Sequence, residues 1–463
     1  MKRTLLWKVL SSLMVASLLL AACAPAATPA PTQAPQPTTP QQPTTAPQPT
    51  VAPTTPPTTE ITLRWRTRPD NKEEADVYAG ISDEVAAKLG FKLVYEPGGT
   101  ETAGYQDQLI TEVQGGTAPD VFWIPGTDIA RFAKGGYILN LAGVAKDFDP
   151  SAFYPGPMFH LTFNPENGKS GKDSGALWGL PRDVSTFVLY LNLDLLNEAG
   201  AQDPRELAKA GRWNWDTFAE VTAKVAQLGG GKYGYGASNW WGPYGVWVNA
   251  AGGSFFTADL SGCAMNTPEA KTGLEFMRKI YSEPGWAVPY GDDAEAAFRA
   301  GNVAMFQNGR WATPGVRTVT FKYDAVELPN GPAGTPGNWL FWGAYVVNAK
   351  TKYPEEAWKL VQALTEADIQ LKIAERGTNI PSRVSKEALD AFLTFTPPDN
   401  AQAFLNGIAD AAKPTAEGPL WNGNWPLVDQ VYGAGVTAVV TGKRTVDDFI
   451  AKICDEAAPG FKP

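Results

Sequence analysis

A single histidine, three cysteines and 16 tryptophans set limits on the chemistry open to this 463-residue chain. With only His160 available, His-based metal sites and a Ser-His-Asp relay both fail unless His160 itself is the base. Its surroundings, Met158-Phe159-His160-Leu161, contain no serine nucleophile elbow, so a structural histidine is expected. The 48 acidic residues would allow a pair of glycosidase-like carboxyls about 5 to 10 Å apart, yet no motif singles out such a pair. Neither clustered arginines nor a glycine-rich turn opening a helix offers a phosphate site. The chain is therefore expected to be no enzyme and to need neither a metal nor a cofactor. Tryptophan is the residue type in excess: only Trp7 precedes residue 60, and many of the others lie beside Gly or Pro. Aromatic side chains in turns suit ligand stacking, with core packing the alternative for any one of them. Trp65, Trp215 and Trp358 fall on strand or helix stripes and are expected in the core.

The elements that must position these residues follow a clear alternation. Ile61 to Arg66 alternates apolar and polar residues as a strand; Glu73 to Leu89 has helical spacing stopped by Gly90. Strand 91–95, helix 105–113 and strand 120–124 continue the pattern, which implies a parallel sheet flanked by helices. Ligands of such sheets lie beyond the carboxyl ends of the strands, placing Arg66 to Asp70 and Trp123 to Asp128 at one rim. A strand over Val184 to Leu191 is long enough to cross between lobes. Asn214, Thr267 and Thr445 read as helix caps, and Pro268 and Pro354 as first-turn prolines.

The N-terminus gives an address. Lys2, Arg3 and Lys8 precede an apolar run, Val9 to Ala22, that ends in Leu20-Ala21-Ala22-Cys23. This is a secretory signal too short to span a bilayer, the alternative being an uncleaved anchor helix. Leu-Ala-Ala-Cys resembles the lipobox of bacterial lipoproteins, which implies a signal over 1–22, lipidation at Cys23 and an extracytoplasmic chain tethered to the outer face of the cytoplasmic membrane. Residues 23–59 form a Pro/Thr-rich, uncharged linker expected to be disordered. At roughly 3 Å per residue it could reach ~100 Å from the membrane. The net charge is −9, and no basic run follows the signal, which excludes nucleic acid as a partner. Cys263 and Cys454 are an even pair in an oxidising compartment, either bridged or two small buried hydrophobes.

Several stretches together are similar to the extracellular solute-binding proteins of ABC importers, in the carbohydrate-binding family that includes maltose- and oligosaccharide-binding proteins. They are Ala118-Pro119-Asp120-Val121-Phe122-Trp123, Trp178-Gly179-Leu180-Pro181 through to Ala199-Gly200, Trp213 to Phe218, Phe298 through Gly301-Asn302-Val303 to Gly309-Arg310-Trp311, and Tyr345 to the Pro354 helix, with Gly377 to Arg383 and Gly442 to Ile450. The resemblance implies an α/β fold of two lobes with parallel-rich sheets. Lobe one would be 60–181 plus 342–381, lobe two 182–341 plus 382–463, with hinge crossovers near 182–189, 328–341 and 381–392. Both Cys263 and Cys454 would then lie in lobe two, which favours a bridge that leaves the hinge free.

The same resemblance places Trp123, Trp311 and Tyr244 against a sugar, with Trp240, Trp241, Trp421 and Trp425 as further aromatic candidates. Arg68, Asp70, Asp128, Asp183 and Ser185 are the polar candidates, although Asp128 could instead cap its own helix. Trp342-Gly343 stands where relatives often have Gly-Gly, so Trp342 would add a wall beside the hinge and argue for a small or tightly enclosed ligand. The implied function is capture of a mono- or oligosaccharide by hinge closure and delivery to a permease, by a monomer. A binding protein for a polyamine, peptide or polyol phosphate, a tethered glycosidase, and a sensor lipoprotein are the alternatives.

Overall fold

The computed structural model describes residues 61–99, 104–146, 148–410 and 420–462. The signal peptide, Cys23 and the Pro/Thr-rich linker lie outside these residues. Two sheets organise the remainder. The first has strands β1 (Thr62–Thr67), β2 (Lys92–Pro97), β3 (Val121–Pro125), β4 (Leu180–Ser185), β9 (Phe341–Val347) and β10 (Ile380–Pro381), in the order β10-β4-β9-β3-β1-β2. The second has β5 (Val188–Asn192), β6 (Tyr233–Ala237), β7 (Val303–Asn308) and β8 (Tyr323–Val326), in the order β6-β7-β5-β8. The molecule is thus two-lobed and α/β, with helices packed on both sheets.

The sheets are mixed, which corrects the expectation of parallel-rich ones. β1 runs parallel to β2 and β3, and β6 parallel to β7. The pairs β3–β9, β4–β9, β10–β4, β5–β7 and β5–β8 are antiparallel. The reason is connectivity: β9 follows an excursion through the second sheet instead of a local strand–helix–strand crossover, so nothing enforces parallel entry. The single strand expected over Val184 to Leu191 is two strands. β4 pairs with β9 through Ser185, and after Thr186-Phe187 the chain pairs with β7 and β8 in the other sheet. The chain passes between sheets at this point, between β8 and β9, and again after β10.

Local signals account for the helices that hold this frame. Asn71 accepts from the Glu74 amide at the start of helix Lys72–Leu89, and Gly90 closes that helix with φ 68°. Asn214 and Thr217 form a reciprocal capping box on helix Trp215–Ala226, whose Trp215, Phe218, Val221 and Val225 are buried. Thr267 caps helix Pro268–Ser282 and Thr445 caps helix Val446–Ala457. Asp448, whose amide donates to the Thr445 hydroxyl, pairs through its carboxylate with Arg444 and Lys452. Cys263 and Cys454 are disulfide-bonded, with Cα atoms 5.3 Å apart, fastening the loop before helix Pro268–Ser282 to the last long helix. No helix among the described residues is long and apolar enough to cross a membrane.

Candidate ligand-binding cleft

A cavity of about 1310 Å³ opens between the two sheets. Its first-lobe wall is charged. Arg68 and Asp70 follow β1, Asn71 and Glu74 open the next helix, Trp123 lies mid-way along β3, and Arg182, Asp183 and Ser185 lie on β4. Arg182 Nη2 meets Asp183 Oδ2 at 2.7 Å, and its Nη1 lies 3.8 Å from Glu74 Oε1. The Asp70 amide donates to Glu74 Oε2 at 2.7 Å. Burial pushes the Glu74 carboxyl up to about 7 against the pull of Arg182. Even so, Arg68 Nε, Asp70 Oδ2, Asn71 Nδ2, Glu74 Oε1, Trp123 Nε1 and two Arg182 nitrogens are buried with no hydrogen-bond partner among the described residues. Unmatched buried polar atoms are costly, and so many on one wall mark a surface built to be completed by a ligand.

The second-lobe wall is aromatic. Trp240 and Trp241, at the start of helix Trp241–Ala250, lie with ring centres 5.1 Å apart, and Phe341 sits 5.5 Å from each. Trp311 packs edge-on at 5.4 Å from Phe341, and Trp425 at 5.6 Å from Trp241. Edge-to-face packing leaves indole faces turned in several directions along one surface. Asp292, Asp293, Glu295, Arg299 and Asp429 complete this side. The lobes touch at the rim: Arg299 Nη2 reaches Glu73 Oε1 at 3.3 Å, and Asp70 and Glu295 both line the cavity nearby. Burial holds both of these carboxyls above the usual carboxylate range, with the charge of Asp293 adding to the rise of Asp70 and the charge of Asp70 to that of Glu295.

Of the sequence candidates, Arg68, Asp70, Trp123, Asp128, Asp183, Ser185, Trp240, Trp241, Trp311, Trp342 and Trp425 line this cavity. Tyr244 and Trp421 do not. Tyr244 is 1% exposed and packs on Phe255 in the second-lobe core, because its helix turns it inward from Trp240 and Trp241. Trp421 packs at a tilt, 4.8 Å from Phe163, and donates to His160 Nδ1 at 3.3 Å, so it joins the C-terminal segment to the first lobe. Trp123 has a different part from the one expected. The guanidiniums of Arg68 and Arg182 lie over its ring at 5.2 and 5.0 Å, so it backs the charged wall instead of presenting an open face. Ser185 Oγ accepts from the Arg310 amide at 3.0 Å. Asp128 makes no capping hydrogen bond to its helix, and burial pushes it up to about 6. Trp342 lies over Gly126, where a Cβ would come within 2.4 Å of its ring. It folds against its own lobe while lining the cavity, whose volume exceeds the roughly 300–1,000 Å³ of ordinary small-molecule pockets.

The sequence reading missed Asn71, Glu74, Arg182, Glu295, Arg299 and Asp429. Glu74 and Glu295 read as first-turn acids that complement a helix dipole, and nothing local marks them as cleft residues. Asp429 carried a usable signal, since it follows Trp425 by four residues on one helix face. Among the described residues no group of three or more metal-type ligands occurs.

Residues 81–404 match the family model of the bacterial extracellular solute-binding proteins. The chain belongs to this family. Among its relatives, a putative binding protein of Brucella abortus is 24% identical, the match covering 73% of this chain and 79% of the relative. The galactooligosaccharide-binding protein of Bacillus subtilis is 24% identical over 82% of this chain and 86% of its own. In structure the solute-binding fold matches that of an ABC substrate-binding protein from Listeria monocytogenes solved with cycloalternan. That match has a TM-score of 0.74 and 19% identity, and covers 86% of this chain and 98% of that one.

Proposed function

We propose that this protein captures an oligosaccharide between its lobes and hands it to the transmembrane subunits of an ABC importer. One observation carries the reading: a wall of unmatched donors and acceptors faces a wall of indoles across one cavity. A sugar has both surfaces, hydroxyls that donate and accept and C–H faces that stack on aromatic rings. The volume suits several rings, and two relatives carry oligosaccharides in their names or complexes, galactooligosaccharide in Bacillus subtilis and cycloalternan in Listeria monocytogenes. Lobe closure about the crossovers near 182–189, 328–341 and 381–392 would bury the sugar, because only the closed state engages both walls. The chain works as a monomer, held by a lipid on Cys23 with residues 24–59 as a stalk.

The experiment is a thermal-shift screen against mono- and oligosaccharides, polyamines and peptides. A micromolar or tighter sugar at 100 times its Kd raises stability by about 2.7 kcal/mol, several degrees in Tm. A shift with a polyamine or peptide and with no sugar would refute the reading.

A further inference from the structure

The polar groups of the first-lobe wall do not balance. Its buried, unpartnered donors are Arg68 Nε, Asn71 Nδ2, Trp123 Nε1 and the Nε and Nη1 of Arg182; its unpartnered acceptors are Asp70 Oδ2 and Glu74 Oε1. Arg182 Nη1 and Glu74 Oε1 already face each other at 3.8 Å. Setting that pair aside leaves donors on four side chains against a single acceptor, Asp70 Oδ2. Asn71, Trp123 and Arg182 are each more than nine-tenths buried, so water reaches these groups poorly and a ligand must supply the missing acceptors.

Arg68 is the guanidinium with charge to spare. Arg182 is held by Asp183 at 2.7 Å, whereas no carboxylate of the described residues comes within ion-pair reach of Arg68, which feels Asp70 only at longer range. The two guanidinium carbons lie 5.2 and 5.0 Å from the centre of the same Trp123 ring, and their like charges oppose each other. An anion seated against both relieves that repulsion. A hydroxyl brings a donor with its lone pairs and cannot correct an excess of donors; a carboxylate only accepts, and its two oxygens match the guanidinium fork. Asp70 and Glu74, which would repel an anion, are held above the usual carboxylate range by burial, and each is a further donor when protonated. Asp183 is offset by Arg182. A dianionic phosphate would still meet three acids on this wall, which favours the single charge of a carboxylate.

We propose that the oligosaccharide captured here is acidic, with the carboxylate of a uronic acid ring seated on Arg68 and Arg182 in front of Trp123. This rests on the oligosaccharide reading and narrows it to one class of sugar. Calorimetric titration of the full chain tests it with two matched pairs, alongside maltotetraose and tetra-alanine. The pairs are a galacturonic acid tetramer against its methyl ester, and xylotetraose with and without a glucuronic acid branch. In at least one pair the acid should bind at least about tenfold tighter than its neutral partner. Arg68→Gln should bring that ratio to within about twofold, while Arg68→Lys, which keeps the charge without the fork, should hold it above about threefold. Neutral partners binding as tightly as the acids in both pairs, maltotetraose alone binding, a ratio unchanged in Arg68→Gln, or a ratio lost equally in both variants would overturn the inference and leave the oligosaccharide reading standing. Tetra-alanine binding alone, or no binding by any probe, would overturn both.

Discussion

Gly343 leaves the space that the Trp123 indole occupies: a Cβ at position 343 would lie 2.0 Å from Trp123 Nε1. Gly343 pairs with Pro125 across the β3–β9 ladder, so the backbone on both sides is fixed and the ring would have to move. Arg68 and Arg182 rest over that ring, and its position sets theirs. Gly343→Ala is expected to cost about 1–3 kcal/mol in stability and to weaken ligand binding by about tenfold or more, read by melting and calorimetry. Unchanged affinity would show that the two guanidiniums take no part in holding the ligand.

Trp311 and Trp358 separate binding from packing. Trp311 is partly buried at the cavity, whereas Trp358 is 6% exposed and packs edge-on against Phe148 at 5.7 Å. Trp311→Ala should reduce affinity by about tenfold or more with a modest loss of stability. Trp358→Ala should cost about 3–5 kcal/mol of stability and leave affinity within about threefold. The opposite pattern would misplace the cleft.

His160 makes the fold sensitive to acid. It is buried, stacked 6.1 Å from Trp342, and accepts the Trp421 indole proton; burial lowers its pKa to about 4. With the folded value below the ordinary 6.5, the unfolded chain takes up the proton first. The contribution is whole above pH 6.5 and is lost as pH falls toward 4, about 2 kcal/mol of it by pH 5. Buried carboxyls such as Asp128 and Glu74, raised to about 6 and about 7, act in the opposite direction, so the comparison must be differential. Between pH 7.5 and 5 the unmodified protein should lose about 2 kcal/mol relative to His160→Gln, measured by denaturant unfolding.

The Cys263–Cys454 bridge closes a separation of 191 residues inside the second lobe. Its removal by Cys263→Ser with Cys454→Ser should cost about 3–5 kcal/mol, seen as a lower Tm that a reducing agent reproduces in the unmodified protein. Ligand affinity below the melting range should be unchanged, because the bridge crosses no hinge.

Much of the frame is legible locally. The Asn214, Thr267 and Thr445 caps and the strand–helix alternation from residue 61 to 125 depend on neighbours within about one turn or one strand, and a linear reading captures them. The break at Thr186-Phe187 was not legible, because a run of strand-forming residues reads the same whether it pairs in one sheet or in two. Aromatic excess marked the right residue type but not the right residues. Trp421 and Trp425 flank one Gly/Asn-rich turn, yet Trp425 faces the cavity and Trp421 packs on Phe163.

The sequence by itself determined the class of molecule, the caps and the supply of indoles, since these depend on residue type and short spacing. The tertiary structure decided which groups meet. The charged wall combines Asp70 and Glu74 with Arg182, and the facing side combines Trp240 and Trp311 with Asp429, residues far apart in the chain. Their burial and their missing hydrogen-bond partners arise only when two lobes border one space, because desolvation is a property of the assembled cleft.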